Sequence, residues 1–501
     1  MKIWNMPIWR SKKVTVLTMK NKQVFSEYPK HSFYDEMFDS NGKVRNSYDK
    51  LYQQFSKMGA KKLTSRNSSM QSQMIKQGIT FTLYDGNQNE SHSERTIPFD
   101  IIPRVITTEE WEFLEHGLKQ RVLALNMFIK DVYHEQNILR DEIIPRKMII
   151  SNPYFLPEMV GLHIPNDNYI PLSGIDLIRS DTGEYYVLED NLRNPSGLSY
   201  VYKNRSLMMH LFPELFFEYQ VRDIHQGLND LLGSLRSLAP EHKLEPLVVL
   251  LTPGVHNAAY YDHTFLAQEL GIELVEGRDL TVIDQKVYLK SIQGPRQVDV
   301  IYRRIDDDFL DPLAFRADSL LGVPGLFNAY RAGNVALANA PGTGMADDKA
   351  VYAYVPDMIR YYLKEEPILK NVPTYILSKQ EEKEYVLANL SKMVVKERTL
   401  SGGYGMLIGP TATDTEINEF AEKIIKHPDR YIAQPTIKLS CSPSLTDHGE
   451  PAPRHIDLRA FVFLGEKVQI APGGLTRVAL KEGSLVVNSS QGGGTKDTWV
   501  L

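Results

Sequence analysis

Residues 174–200, GIDLIRSDTGEYYVLEDNLRNPSGLSY, restrict the possible folds of this chain more than any other stretch. Ile175 to Ile178 form an apolar-rich strand, and Asp181-Thr182-Gly183 a turn in which glycine can take positive φ. Tyr185 to Leu188 form an aromatic and β-branched return strand, so a β-hairpin is expected. Side chains two apart on a strand share a face, which points Glu189 and Asn191 the same way. Pairing across the hairpin can bring Asp176 onto that face. Two carboxylates and an amide oxygen suit a hard divalent cation that keeps water or phosphate oxygens, as Mg²⁺ does. Arg193 continues the alternation toward the same anion. A hairpin with a solvated acidic face fits the local pattern equally well, so the choice rests on the remainder of the chain.

At 501 residues the chain is long for one core, and two or more packed subdomains are expected. Hydrophobic content of 42% and charged content of 24% are those of a soluble globular protein. A formal net charge of -5 argues against a polyanion-binding role, nucleic acid included. A single cysteine, Cys441, excludes an intrachain disulfide and fits a reducing cytosol. The first residues lack the apolar core and small-residue cleavage site of a signal peptide. No run approaches the roughly 20 apolar residues that span a membrane. A cytoplasmic location is therefore expected.

Five segments are expected in chain order. Residues 1–76 form a polar extension with a helix from Ser47 to Gly59, and its first part is expected to be poorly ordered. Residues 77–150 hold a short strand at Gly78–Tyr84, an Asp85-Gly86 turn and a helix over Trp111–Val132. That helix is capped at Thr107-Thr108-Glu109-Glu110. Residues 151–220 carry the hairpin and a helix from Arg205 to Tyr219. Residues 245–340 open on the apolar run Leu247–Leu251, which reads as a buried parallel strand. A helix from Tyr261 to Leu270 and the strand Ile272–Val275 complete a βαβ unit. Ligands in open α/β sheets sit at the carboxyl ends of strands, which makes Asn257 a candidate contact. GxGxxG is missing there, so no dinucleotide site is expected.

Further along, VDVIYRRIDDD ends a strand in both signs of charge. A surface ion-pair network and a grip for a zwitterionic or carboxylate substrate both fit, and the strand's carboxyl end tilts the reading toward Arg303, Arg304, Asp306 and Asp307 as substrate contacts. Residues 341–501 hold Asp347-Asp348-Lys349 at a helix start, then a strand carrying Lys396 that runs into Ser401-Gly402-Gly403-Tyr404-Gly405. Such glycines let backbone N–H groups cradle phosphate oxygens while the Lys supplies a point charge; a flexible hairpin tip is the alternative. The short strand Tyr431–Pro435 can present backbone groups to a purine edge. Arg459 and Arg477 project from later strands, Val486–Asn488 follows, and the chain closes on QGGGTKD.

Together these parts resemble an ATP-grasp enzyme with its acidic hairpin first instead of last. That order is similar to the circularly permuted ATP-grasp type 2 family, a relative of glutathionylspermidine synthase. The resemblance runs from about Gly78 to the C-terminus through VLEDNLRNPSGLSY, IYRRIDDDFLDPLAFRADSLLGVPGL, GNVALANAPGTGMADDKAVYAYVPDMIRYYL, KERTLSGGYGM and SQGGGTKDTWVL. It implies a mixed α+β and α/β fold, a permuted ATP-grasp with a βαβ pre-ATP-grasp-like subdomain and a helical N-terminal region. It further implies Asp176, Glu189 and Asn191 as Mg²⁺ ligands, and Lys349, Lys396, Gly402, Gly403 and Gly405 around the ATP phosphates. Gln434 would lie at adenine, where many such enzymes carry an acidic residue instead. Arg193, Arg459 and Arg477 would stabilise the transferring phosphoryl group. The implied activity is an ADP-forming carboxylate–amine ligase acting through an acyl phosphate on an amino acid, peptide or protein. A kinase-like phosphotransferase and a non-catalytic ATP-binding subunit share that site. All five residues Asp176, Glu189, Asn191, Lys349 and Lys396 should then line one cleft.

Overall fold

A computed structural model describes residues 24–83, 93–240, 243–399, 405–446, 449–485, 487 and 493–501. The fold is organised on one long strand, Pro451–Leu464, whose 14 residues far exceed the roughly 5–6 usual for a strand. Its alternation is apolar on both faces near the carboxyl end. Leu458, Ala460, Val462 and Leu464 enter one hydrophobic core, and Phe461 and Phe463 enter another. A strand buried on both sides requires a sheet between two helical layers.

Among the described residues that sheet has nine strands. Pro451–Leu464 pairs antiparallel with the hairpin strand Leu172–Arg179 on one side and with Leu475–Val478 on the other. The hairpin returns through Tyr185–Asn191, and Lys370–Asn371 closes that edge. On the far side Leu475–Val478 pairs with Gly494–Val500, which runs parallel to Phe99–Ile106. The closing QGGGTKD segment, read from sequence as a glycine-rich end, therefore becomes a fully buried strand from Gly494 onward. Of the expected strand at 486–488, only Val487 lies within the described residues.

One layer is built around Thr108–Tyr133, a 26-residue helix that starts on a capping box between Thr107 and Glu110. The opposite layer contains Leu198–Leu211, Pro213–Tyr219, Gln226–Arg236 and two N-terminal helices. The helix expected to stop at Gly59 does end there, as Asp49–Met58, but a second helix, Ala60–Lys76, follows directly. Leu63, Met70 and Met74 recur on one face of an otherwise polar stretch, and they are buried. The expected poor order of the first residues concerns mainly 1–23, outside the described residues. The Asp85-Gly86 turn lies outside them too, after the strand Thr80–Leu83.

The βαβ reading corresponds to a parallel sheet ordered Ala336–Ala338, Val300–Arg303, Val248–Leu251, Glu273–Val275. Its side chains feed the same two cores, so it packs as an extension of the main body. A third unit is smaller. Tyr375–Ile376, Tyr431–Pro435, Met393–Glu397 and Met406–Ile408 form an antiparallel sheet with a core of its own, including Leu377, Val386, Val395, Ile424 and Ala433.

Trp499 joins the last strand to the helical layer. It is fully buried, packs against Phe216 and Tyr219, and donates from Nε1 to Asp497 Oδ2 at 2.7 Å. Trp499→Ala is expected to destabilise the protein by about 3–5 kcal/mol, read as a lower midpoint in urea denaturation.

Candidate active site

The hairpin register places Asp176 opposite Glu189 and Gly174 opposite Asn191, with an irregularity after Asp176 that sets Leu177 opposite Val187. A bulge of this kind re-aims side chains beside a site. On its other edge Asp176 faces Arg459 of the long strand, and Arg477 faces Asp457. Arg459 donates to both Asp176 oxygens, at 2.6 and 2.9 Å, and Arg477 Nη2 reaches Asp176 Oδ2 at 2.8 Å. Arg477 also holds Asp457, with Nε 2.9 Å from Oδ1. Gly174 makes room for this arrangement: a Cβ there would lie 2.9 Å from Pro195 Cβ and 3.4 Å from Arg459 Cδ. Burial alone would raise the Asp176 carboxyl, but Arg459 and Arg477 outweigh it and hold the group down at about 2.

Two lysines approach the hairpin from different units. Lys349 follows Asp348, which caps a short helix by accepting from Ala350 N at 2.8 Å, and its Nζ lies 3.2 Å from Glu189 Oε1. Lys396 comes from the small sheet and donates to Gln434 Oε1 at 2.8 Å, while Gln434 Nε2 donates to Thr374 at 3.0 Å. Burial pushes the Lys396 ammonium down to about 8; Glu189 and Asp176 oppose that shift and Lys349 adds to it. These mutual interactions gather Asp176, Glu189, Lys349, Lys396 and Gln434 at one junction.

Arg193 lies over the Tyr154 ring at 4.6 Å and 3.6 Å from Asp306. Asp347, passed over in the sequence, accepts from Leu192 N at 2.6 Å. Burial pushes its carboxyl up to about 7, with Arg193 opposing and Glu189 reinforcing the rise. The signal for it was adjacency: Asp347 and Asp348 precede Lys349, yet only Asp348 serves the helix cap.

Several expected contacts fall elsewhere. Arg303 is fully buried, donating to the carbonyls of Asn339, Ile305 and Ala340 and pairing with Asp307 at 2.7 Å. Arg304 is buried too, with Nη1 2.6 Å from Pro195 O and Nη2 3.4 Å from Asp262. Asp307 accepts from Gly342 N at 3.1 Å. These three side chains brace the loops that carry the site, and none is open to a substrate. The error has a physical source, since a charged strand end looks the same in sequence whether loops cover it or not. Asp306 alone of the four stays about half exposed. Asn257 turns back on its own loop, accepting from Ala259 N at 2.9 Å. Gln434 spends its side chain on Lys396 and Thr374, so it does not stand free for adenine. At Gly342-Thr343-Gly344, close packing requires glycine: a Cβ on Gly342 would lie 2.2 Å from Tyr133 Oη. Gly402 and Gly403 lie outside the described residues; Gly405 is exposed.

Both Asp176 oxygens already accept arginine N–H groups, which corrects its expected role as an open ligand. Glu189 and Asn191 remain, and Asn191 donates from Nδ2 to Gly174 O at 3.1 Å, leaving its Oδ1 as the acceptor. One carboxylate and one amide oxygen fit a hard cation whose other ligands are water and phosphate. Among the described residues no group of three or more His, Cys, Asp or Glu side chains forms a metal cluster of its own.

Asp176→Asn keeps the shape but leaves Arg459 and Arg477 under-compensated, and a loss of about 3–5 kcal/mol is expected in denaturant melts. Lys396 gives the opposite sign. Its folded pKa near 8 lies below the unfolded value, so between those values the unfolded state binds more protons and stability rises with pH. Lys396→Met is expected to raise stability at pH 7 by roughly 1–2 kcal/mol, allowing for partial solvent screening, and to flatten the rise above pH 8.

The family model for circularly permuted ATP-grasp type 2 matches residues 103–479. An uncharacterized protein of Synechocystis is 49% identical over 475 residues, covering 95% of this chain and 98% of that one. "Putative glutamate--cysteine ligase 2-3" of Frankia alni is 40% identical over 477 residues, covering 93% of this chain and 54% of that protein, so this chain spans about half its length. Among solved structures, a glutathione synthetase-like effector from Globodera pallida aligns with a TM-score of 0.54 at 11% identity, covering 87% of this chain and 96% of that one, which is a likeness of fold. With more than half its length matched and a site assembled from the permuted hairpin, this chain belongs to the circularly permuted ATP-grasp type 2 family.

Proposed function

We propose that the protein is an ADP-forming carboxylate–amine ligase acting on amino acids or short peptides. The observation that carries the reading is the convergence of Lys349, from the main body, and Lys396, from the small sheet, on Glu189 of the hairpin. Two cations from separately packed units suit a polyphosphate bridging them, because phosphoryl transfer is catalysed chiefly by positioning and charge neutralisation. Membership of the family supports an ATP-dependent ligase in general terms, and the name of the Frankia relative supports amino-acid substrates.

Lys349 and Lys396 would hold the ATP phosphates, and Glu189 and Asn191 a Mg²⁺ ion. When bound, the cation neutralises phosphate charge beyond what the lysines reach. The substrate carboxylate attacks the γ-phosphorus, the bond to the bridging oxygen breaks, and ADP leaves with that electron pair. An amine then attacks the acyl carbon, phosphate departs, and the amine proton passes to solvent or a nearby carboxylate. Arg459, fixed by Asp176, and Arg193 stand as the guanidiniums for the transferring group; Arg477 is buried and acts through Asp176 and Asp457. Arg193 and the exposed Asp306 form the pair best suited to the charged ends of an amino acid, replacing the buried Arg303 and Arg304 in that role. Cytoplasmic placement fits the one cysteine, which is buried; among the described residues no helix is long and apolar enough to cross a membrane.

Incubation with ATP, Mg²⁺ and mixtures of amino acids is expected to yield ADP together with a new amide, read by mass spectrometry. Glu189→Gln and Lys396→Met are each expected to lower ADP formation at least about 100-fold while remaining folded. A phosphate ester instead of an amide would identify a kinase and sink the ligase reading.

A further inference from the structure

Lys349 and Lys396 stand on separately cored units. One buried ion pair lies between them. Arg398, two residues beyond Lys396, donates from Nε to both oxygens of Asp348, at 3.0 and 2.8 Å, and from Nη2 to Oδ2 at 2.6 Å. Asp348, the residue before Lys349, is fully out of solvent in this pair, and Arg398 is only 15% exposed. The same contact continues along the backbone. Lys349 N donates to Arg398 O at 3.2 Å, and Arg398 N donates to Arg430 O at 2.9 Å within the small unit. Asn152 donates to Asp348 Oδ2 at 2.8 Å, and Arg398 also reaches the carbonyls of Met148 and Asp429, each at 3.3 Å.

We propose that the Arg398–Asp348 pair is a positioning device that sets the separation of Lys349 and Lys396, and with it the grip on a polyphosphate. The inference rests on the nucleotide-binding reading above. The pair touches no reacting atom. It joins the residue preceding one lysine to the end of the strand bearing the other, so any shift of the small unit against the body must stretch it. A charge-assisted, bidentate contact that is nearly dry combines strength with a fixed geometry, which suits it to restrain such a seam. Asp348 also caps the helix that begins with Lys349, so the restraint passes to Lys349 through the helix start rather than through a loop.

The test compares ligands that differ only in phosphates. Binding of Mg²⁺ with a non-hydrolysable ATP analogue, and of adenosine alone, is measured by calorimetry for the wild type, Arg398→Met, Asp348→Asn and the double variant. Asp348→Asn preserves an acceptor for the Ala350 cap. Each single variant is expected to weaken the ATP analogue about tenfold and leave adenosine unchanged, and the double variant to lose no more than either single one, the mark of a shared interaction. Arg398→Lys is expected to recover part of the loss. Should Arg398→Met fail to melt cooperatively, Asp348→Asn and Arg398→Lys carry the comparison. Unchanged affinity for the ATP analogue in a wild type that binds it, or equal weakening of adenosine, would overturn the positioning role. A folded wild type that binds no ATP analogue would instead bring down the nucleotide reading, and this inference with it.

Discussion

The Asp176–Arg459 ion pair joins residues 283 positions apart and stands where the permuted halves of the fold meet. A carboxylate so deeply buried is tolerable only with its charge compensated. The compensation comes from two arginines on strands near the C-terminus, so the buried carboxylate of the hairpin is neutralised only with those strands in register. Register is the controlling variable, because a one-residue slip along Pro451–Leu464 would carry Arg459 to the other face together with the apolar set. The same pairing leaves Glu189, one strand further along, facing Lys349 and Lys396. The charges that stabilise the sheet and the charges available to a ligand are thus neighbours on one sheet, divided by burial.

That division gives the arginines distinct parts. Arg303, Arg304 and Arg477 are enclosed and paired with carbonyls or carboxylates, acting as braces for loops and strands. Arg193 and Arg459 keep some contact with solvent at the edge of the lysine junction. The third unit brings Lys396 in from outside, held at the seam by Arg398. A seam between two separately cored units could move without deforming either core, and the Arg398–Asp348 pair restrains that freedom.

Much of the local order was legible in the chain. The hairpin, the Thr107 cap, the parallel strand at 248–251 and the lysine-bearing strand each carry their pattern in adjacent residues, where propensity, alternation and capping act over a few positions. The second N-terminal helix was missed because its few apolar residues, such as Leu63, Met70 and Met74, are spread through a strongly polar stretch. The terminal strand was missed because glycines and charges mask a segment that is buried only by virtue of its parallel partner, Phe99–Ile106. Covered and open charges were equally indistinguishable, and Arg303 was misjudged for that reason.

By itself the sequence determined the kinds of element, the permuted order of the motifs and the residue types that chemistry at a phosphate would need. These follow from short-range physics and from the succession of motifs, which is one-dimensional information. Only the tertiary structure decided which of those charges face one another. It turned Asp176 from an expected cation ligand into the anchor of two arginines, withdrew Arg304 and Gln434 into internal contacts, and brought Asp347 and Arg398 into the site. The reason is that burial and pairing depend on segments hundreds of residues away, and a side chain's electrostatic role is set by what covers it.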